Sequence, residues 1–474
     1  MRSQLKGLLS DSVIYGLSGI ISSFISIFLI PLYTNVFEPS DYGIISILTT
    51  TSVVLNILLI FSLDNSAAVW FWDKPDILER KKTFNSWIGF VVIAGLALAI
   101  VLALLSKPLS ILFFGKTDYS VLFVIVAANL LFVGFQKVVN IWCRMLRKPV
   151  KAMLFSVFIL LITVGFNVLF ILILKIGVVG VFYSQVIASF LGVLLMLFMF
   201  RKWFHPSSFS FSRLKEMLKF SLPLVPATLL YWVMNMASVY FLIAYVNDNA
   251  EVGLYQLGGN VANVLSLVTW AFFQAWSAFA LSVSKQENAK RIYSFVFELY
   301  CVVGFFVAFS LMLGSKDILI IFTHTKYLGA ATVIGLLALN VVLMGLPNIL
   351  AIANSLTKKN ESFAVAIALG SIVAVTLFII LIPKYGKEGA ALAMIGGNLV
   401  VPLYLGYRTQ KLYFIPYNFS RIIVVVLVQF ILFLIAGKIF ESLFGHIISV
   451  IVLGMLTAAL YYVLARKAGY KIKF

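Results

Sequence analysis

Lys137 is the side chain of this sequence best placed to bind an anionic ligand in apolar surroundings. It is the only Lys or Arg well inside a long apolar stretch, and Gln136 and Asn140 flank it. A cation among amides in such surroundings is suited to a charged group such as phosphate. The alternative is that the long Lys137 stem carries its ammonium group to the nearest aqueous boundary.

Asp64 and Glu298 are acidic residues that lie within apolar stretches, at a depth comparable to that of Lys137. A carboxylate in such surroundings is costly unless it is paired or faces water. Each is therefore a candidate for coupling to a proton or a sodium ion, or for pairing with Lys137. The alternatives are that both acids are hydrated near an aqueous boundary and that Asp64 forms a purely structural bridge with Lys137.

Amides and aromatic rings form a third group, in residues 231–276. Amide groups and aromatic faces are what proteins use to recognise sugars, so the group predicts a sugar site. The alternative is that the amides hydrogen-bond between packed helices and that the rings pack or anchor at interfaces. The members are Asn235, Gln256, Asn260, Asn263 and Gln274, with Tyr231, Trp232, Trp270 and Trp276 nearby.

Arg144 and Arg147 belong to the densest basic loop of the chain. The loop is a candidate docking patch for an anionic lipid substrate, although attraction to ordinary anionic headgroups accounts for the same pattern.

The sequence carries no signature of a metal or nucleotide site. No His, Cys or carboxylate set has metal-ligand spacing, and no nucleotide-binding motif occurs. The sequence therefore predicts no metal or other cofactor. The energy for transport would then come from a proton or sodium gradient, from the membrane potential or from product removal.

The composition requires a lipid environment for these residues. Apolar residues make up 62% of the 474 positions and charged residues 11%, whereas the surface of a soluble domain needs more charge. Continuous apolar runs of about 20 residues favour helices over barrel strands. The sequence therefore predicts an all-α integral membrane protein with about 14 transmembrane helices. The predicted spans are 12–37, 42–69, 84–105, 119–142, 152–174, 178–200, 218–246, 253–283, 292–314, 330–356, 362–382, 389–407, 422–440 and 447–464.

The net charge of +19 comes from Lys and Arg residues that gather in every second loop. Nucleic acid binding would require these charges on one water-exposed surface, so that class is excluded. The positive-inside rule instead places these loops and both termini in the cytoplasm, and predicts a multi-pass protein of a bacterial cytoplasmic (inner) membrane.

The first apolar stretch runs to Phe37 without a cleavage site, so it predicts a spanning helix rather than a signal peptide.

Three short segments recur in order, the first two after 210 positions and the third after 209. The repeat predicts two pseudo-symmetric six-helix lobes, 1–200 and 201–408, followed by two appended helices and a tail in 409–474. Transporters bind substrate in the cleft between such lobes. The recurring pairs are Asp41-Tyr42-Gly43-Ile44 with Glu251-Val252-Gly253-Leu254, Leu146-Arg147-Lys148 with Leu356-Thr357-Lys358, and Lys175-Ile176-Gly177 with Lys384-Tyr385-Gly386.

Gly16 and Gly19 in the first predicted helix, and Pro223 and Pro226 at the start of the seventh, are candidate hinges. Glycine and proline let helices bend, which movement of two lobes would require. The alternatives are close packing at the glycines and an ordinary helix start at the prolines.

Five segments along the chain carry a family signature. They are Ile30-Pro31-Leu32-Tyr33, Glu38-Pro39-Ser40-Asp41-Tyr42-Gly43, Leu222-Pro223-Leu224-Val225-Pro226, Glu251-Val252-Gly253-Leu254-Tyr255 and Gln274-Ala275-Trp276-Ser277. Together they resemble the polysaccharide-transporter branch of the multidrug/oligosaccharidyl-lipid/polysaccharide exporter superfamily, the Wzx-type flippases, whose fold is MATE-like. One departure is Ala237-Ser238-Val239-Tyr240, where many members of that family carry an acidic-basic pair.

The resemblance implies a transporter rather than an enzyme. Its activity would be the flipping of an undecaprenyl-diphosphate-linked oligosaccharide, such as the O-antigen repeat unit of lipopolysaccharide, from the cytoplasmic to the periplasmic leaflet. The implied partners are this glycan, the bilayer and other polysaccharide-assembly membrane proteins. Two alternatives stay open: a cation-coupled multidrug exporter of the same superfamily, and a membrane polysaccharide polymerase or ligase, which generally needs a sizeable external loop.

Overall fold

The computed structural model describes residues 29–73, 76–357, 361–440 and 442–467, and these form helices joined by short connections. Within these ranges the chain has no β-strand, and eleven helical segments are long and apolar enough to cross a membrane. The chain is thus a multi-pass membrane protein, and the predicted all-α class is confirmed. Most of the first predicted span lies outside the described residues.

By its internal contacts the chain divides into two compact units, one up to Gly253 and one from Leu254. The predicted lobe boundaries at 200/201 and 408/409 rest on the sequence repeat alone and stay predictions. The helices of the first unit are α1 (Pro39–Ile60), α2 (Leu63–Asp73), α3 (Ile77–Leu104), α4 (Ser106–Phe114), α5 (Ser120–Met145), α6 (Pro149–Asn167, continued by a π-helical segment, Val168–Ile173), α7 (Val178–Phe200), α8 (Phe211–Ser221), α9 (Val225–Met236) and α10 (Ser238–Val246).

The second unit contains the remaining helices, and the unit boundary falls within the first of them. The end of a helix that adjoins one of the basic loops is called its basic end. The helices are α11 (Asn249–Ala262), α12 (Val264–Ser282), α13 (Ala289–Leu313), α14 (Ser315–Phe322), α15 (Ala331–Leu350), α16 (Ile352–Thr357), α17 (Glu361–Leu412), α18 (Phe419–Ile439) and α19 (Leu443–Lys467).

The helix α17 contains two membrane spans. A straight helix of its 52 residues would be about 78 Å long, more than twice the roughly 30 Å of a bilayer core. Gly386 interrupts it with φ 52° and ψ −128°, so the chain kinks between the predicted spans 362–382 and 389–407. The sequence repeat pairs Gly386 with Gly177, which has φ 71° and precedes α7. Glycine adopts this left-handed conformation without steric cost, which explains its place in both copies of the repeat.

Aromatic packing holds α2, α3 and α5 together near their basic ends. The ring of Trp142 on α5 lies 5.2 Å from Phe71 on α2 and 4.9 Å from Phe84 on α3, measured between centroids. All three side chains are almost completely buried. Because edge-to-face and tilted ring pairs are favourable, this cluster fixes α2 beside α5. The polar residues of these two helices are therefore brought together.

Candidate functional site

The structure pairs Lys137 with Asp64. The Nζ atom of Lys137 on α5 lies 3.5 Å from Oδ2 of Asp64 on α2. Lys137 precedes the basic end of α5 at Met145 by eight residues, and Asp64 precedes the end of α2 at Asp73 by nine. At 1.5 Å per residue these separations are about 12 and 14 Å. The two charges thus lie at the same depth, inside the membrane-spanning part of both helices.

The Lys137–Asp64 pair is partly exposed. The side chain of Lys137 is 49% accessible and that of Asp64 is 21% accessible. Charged side chains within spanning helices face protein or a water-filled cavity, because contact with hydrocarbon is expensive. We therefore expect the accessible side of the pair to face water. Exposure also weakens the attraction between the two charges, so Asp64 holds Lys137 loosely.

A break between α1 and α2 places Asp64 beside Lys137. Phe61 and Ser62 have φ angles of 52° and 54°, a left-handed conformation that is strained for residues with a side chain. The Ser62 carbonyl, released from the helix, accepts a hydrogen bond from the Ser221 hydroxyl at 3.0 Å. The predicted span 42–69 corresponds to one candidate membrane span, Pro39–Asp73, and the break within it is not marked by glycine or proline.

Gln136 and Asn140 connect α5 to two other helices. Nε2 of Gln136 donates to Oγ of Ser189 on α7 at 3.0 Å, and Oγ of Ser156 on α6 donates to Oδ1 of Asn140 at 3.1 Å. Gln136 is one position from Lys137 and points about 100° away from it, whereas Asn140 is three positions away and lies on the same side of the helix as Lys137. Their hydrogen bonds are those of packed membrane helices.

Glu298 forms a second ion pair, in the unit that begins at Leu254. Its Oε2 atom accepts a hydrogen bond from Nη1 of Arg421 on α18 at 3.0 Å. The Tyr461 hydroxyl on α19 donates to the same oxygen at 3.4 Å. Glu298 is completely buried and Arg421 nearly so. The three groups therefore tie α13 to α18 and α19.

Three of the amides predicted for sugar recognition form hydrogen bonds within their own helices. Nδ2 of Asn235 donates to the carbonyl of Tyr231 at 3.0 Å, and Nε2 of Gln256 donates to Oδ1 of Asn260 at 3.1 Å. Asn235, Gln256 and Asn260 are all partly exposed, so each retains an accessible side. Two further side chains of this group lie outside the described part of the structure: Trp270 and Gln274.

Arg144 and Arg147 are exposed where α5 ends. The guanidinium carbon of Arg147 lies 6.0 Å from the ring centroid of Trp72, within the range of a weak cation–π contact. This contact places Arg147 next to the basic end of α2, the helix that carries Asp64. The loop thus stays a candidate for headgroup docking.

Pro223 and Pro226 lie where α8 joins α9. Pro223 is in a 3-10 turn, Leu222–Leu224, and Pro226 is in the first turn of α9. Proline is tolerated at both positions because the first amides of a helix need no partner within it. The role of these two prolines as a hinge stays a prediction. The two glycine hinge candidates lie outside the described residues: Gly16 and Gly19.

Known proteins resemble this chain at the level of family and of fold. The model of the family described as polysaccharide biosynthesis protein matches residues 35–291. The structure of lipid II flippase MurJ in its inward closed conformation aligns over 97% of this chain and 100% of that chain, with a TM-score of 0.76 and 15% identity. No curated protein sequence matches the chain significantly.

Two transporters of the multidrug/oligosaccharidyl-lipid/polysaccharide superfamily share the fold more distantly. An inward-facing multidrug resistance MATE family transporter covers 85% of this chain and 95% of its own, with a TM-score of 0.68 and 15% identity. A transporter from Pyrococcus furiosus covers 86% and 96%, with a TM-score of 0.60 and 17% identity. The fold expected from the sequence resemblance is therefore confirmed.

Proposed function

We propose a function from one premise: this chain belongs to the polysaccharide biosynthesis protein family, whose model matches more than half of its length. The proposed function is translocation of an undecaprenyl-diphosphate-linked oligosaccharide, such as an O-antigen repeat unit, from the cytoplasmic to the periplasmic leaflet. It works by alternating access, in which the binding site opens to one side of the membrane at a time. Such a Wzx-type flippase needs a hydrated, cationic site for the diphosphate.

The partly exposed Lys137–Asp64 pair is the observation that carries the proposal. In the empty protein Asp64 compensates the charge of Lys137, so neither charge is left alone within the membrane. A diphosphate bears more negative charge than one carboxylate, and it therefore competes with Asp64 for Lys137. Release of the headgroup returns Lys137 to Asp64 and restores the starting state.

Asp64 is also the proposed point of ion coupling. Glu298, the other candidate, is completely buried and hydrogen-bonded to Arg421. Asp64 is accessible, and it loses its partner when Lys137 binds a phosphate. A proton or a sodium ion that binds the carboxylate at that moment compensates its charge, since an isolated carboxylate in the membrane is costly. Occupancy by substrate is then linked to an ion gradient.

The proposed direction of transport depends on the orientation of the helices. The positive-inside rule places the basic ends and both termini in the bacterial cytoplasm, with the protein in the inner membrane. The Lys137–Asp64 pair then lies closer to the cytoplasmic end of its helices. We expect the substrate headgroup to enter from that side, where other polysaccharide-assembly proteins of the membrane deliver it.

Complementation of a deletion strain tests the proposal. Without the protein, the lipid-linked glycan should accumulate inside the cell and surface polysaccharide should be lost. We expect Lys137→Ala to translocate roughly 10- to 100-fold less glycan, because hydrogen bonds to charged groups contribute about 1.5–3 kcal/mol. The measurement is surface glycan and carrier-bound glycan, each normalised to the abundance of the protein.

The matched control is Lys202→Ala, which removes an exposed cation beyond the basic end of α7. This variant should complement fully. Full complementation by Lys137→Ala at normal abundance would remove Lys137 from the mechanism. Normal surface polysaccharide in the deletion strain, together with greater drug sensitivity, would indicate a multidrug exporter instead.

A further inference from the structure

A cavity of about 690 Å³ lies in the unit that begins at Leu254, at the ends of α13 and α18 that are opposite their basic ends. It is bounded by α13, by α18, and by the segments that come after them in the chain. Cavities that bind small organic ligands typically measure about 300–1,000 Å³. The cavity uses none of the residues of the Lys137–Asp64 pair, so its function is argued independently.

The inner wall of the cavity is apolar. The ring of Phe309 on α13 lies 5.5 Å from Phe430 and 6.0 Å from Phe433 on α18, measured between centroids. Met312 and Leu313 extend this wall along α13. Phe309 and Phe433 are also part of a buried apolar cluster, so the wall is held in place from behind. Such a surface is complementary to an acyl chain.

The rim of the cavity carries positive charge. Lys316 and Lys438 both line it, one in α14 and the other at the last turn of α18. The nearby carboxylate of Asp317 is engaged by His446, whose Nδ1 lies 2.5 Å from Oδ2 of Asp317. Asp317 is therefore directed to the imidazole and not to the lysines. Two ammonium groups remain at the mouth of an apolar cavity.

The histidine at the rim lies between two hydrogen-bond acceptors. Nε2 of His446 lies 2.8 Å from the carbonyl oxygen of Phe440, and Nδ1 faces Asp317. Both partners can only accept hydrogen bonds, and a neutral imidazole has only one N–H donor. The imidazole thus occupies the Asp317 carboxylate, and the two lysines set the charge of the rim.

We propose that this cavity binds an anionic phospholipid from the leaflet opposite the basic loops. The lysines attract the phosphate of the headgroup, and the phenylalanine wall receives an acyl chain. A free anion would make no use of the apolar wall. A zwitterionic lipid would be attracted less strongly by the two lysines, because its headgroup has no net charge. Basic residues at a membrane surface each add measurably to the binding of anionic lipids.

A bound lipid would connect α13 to the last two helices of the described chain. The cavity is lined by α13 and by α18, and His446 contributes from α19. One acyl chain against Phe309 and Phe433 would bury apolar surface from both helices. The lipid therefore acts as a structural ligand that stabilises the packing of α18 and α19 against α13.

Lipid retention by the purified full-length protein tests this site. The protein is prepared in detergent, supplied with phosphatidylglycerol or phosphatidylcholine, and analysed by native mass spectrometry. We expect preferential retention of phosphatidylglycerol, and about 30-fold weaker binding of it in the double variant Lys316→Gln/Lys438→Gln. The matched control is Lys175→Gln/Lys384→Gln, which removes two exposed lysines of the same predicted side that do not line the cavity.

A second variant tests the acyl chain separately from the headgroup. A Cβ atom on Gly437 would lie 3.4 Å from Cδ1 of Leu313, so a small side chain fits and a longer one must extend into the cavity. Gly437→Leu should therefore reduce lipid retention while both lysines remain. Leucine also favours the helix more than glycine does, so misfolding is not expected. Thermal unfolding of each variant confirms that it is folded.

Three results would overturn the proposal. The first is equal retention of the two phospholipids, and the second is unchanged retention in the double lysine variant. The third is stronger retention of undecaprenyl phosphate than of phosphatidylglycerol, which would assign the cavity to the carrier lipid of the substrate. Rescue of binding by Lys316→Arg/Lys438→Arg would support an electrostatic role of the lysines.

Discussion

Two ion pairs, one in each compact unit, illustrate how similar residues serve different purposes in a membrane. Lys137 and Asp64 are 3.5 Å apart and partly exposed, whereas Arg421 and Glu298 are 3.0 Å apart and buried. In the buried pair, the Tyr461 hydroxyl provides a second hydrogen bond to Glu298. The exposed pair can exchange its partner for a ligand, and the buried pair cannot without unpacking helices.

The exposed pair contains a lysine and the buried pair an arginine, and this agrees with their difference in exposure. The planar guanidinium of Arg421 has several fixed donors and is suited to a buried carboxylate. The ammonium group of Lys137 ends a flexible stem and binds phosphate as a point charge. The comparison indicates that ligand binding belongs to Lys137 and helix packing to Arg421.

The largest expected effect on stability comes from breaking the buried pair. Arg421→Met leaves Glu298 buried without its cation, and loss of one partner of a buried pair typically costs about 3–5 kcal/mol. We expect low abundance and a markedly lower thermal unfolding temperature in detergent. The double variant Glu298→Leu/Arg421→Met leaves no buried charge at this position and should recover most of the loss. Failure of the double variant to recover would mean that the pair does more than hold α18 to α13.

Replacing the acid of the exposed pair should have an intermediate effect, on ligand binding and transport rather than on stability. Asp64→Asn should leave the thermal unfolding temperature nearly unchanged, because an exposed ion pair contributes about 0–1 kcal/mol. Lys137 then binds a soluble diphosphate more tightly, by up to roughly fivefold, since Asp64 no longer competes. Transport should slow because release is impaired. Weaker binding of diphosphate by this variant would show that Asp64 assists the ligand and does not compete with it.

The smallest effect is expected for the amide next to Lys137. Gln136→Leu removes the hydrogen bond to Ser189, and such bonds between membrane helices contribute about 0.6 kcal/mol on average. We expect a slight fall in thermal stability and normal surface polysaccharide. A loss of transport at unchanged stability would place Gln136 in the path of the substrate.

Hydropathy predicted the membrane helices well, because long apolar runs have few other stable structures in a bilayer. The two spans 362–382 and 389–407 were separated correctly, and Gly386 lies between them. The break at Phe61 and Ser62, within the predicted span 42–69, has no glycine or proline to mark it, and the Ser62 carbonyl there accepts a hydrogen bond from Ser221, which lies far away in the sequence.

The candidate site was predictable only in part. Lys137 and Asp64 stand out because charges in apolar runs are rare, and their pairing was among the expectations. The partner of Glu298 was not foreseen, because Arg421 is 123 positions away and resembles an ordinary loop cation in the sequence. Roles of this kind depend on which helices pack together, and hydropathy does not determine that.

Solvent accessibility of position 137 tests the central claim most directly. Both native cysteines, Cys143 and Cys301, are free and buried, so they can be replaced by serine to leave a clean background. Lys137→Cys is then treated with a charged, membrane-impermeant thiol reagent in vesicles opened to both sides. Two control positions are Val138→Cys, which is buried on the same helix, and Leu161→Cys, which is exposed within α6.

We expect Lys137→Cys to be modified, because the account places position 137 in contact with water. Val138→Cys should stay unmodified because it is buried, and Leu161→Cys because it faces lipid. If Lys137→Cys reacts no faster than Leu161→Cys, position 137 does not face water, and the proposed diphosphate site is wrong.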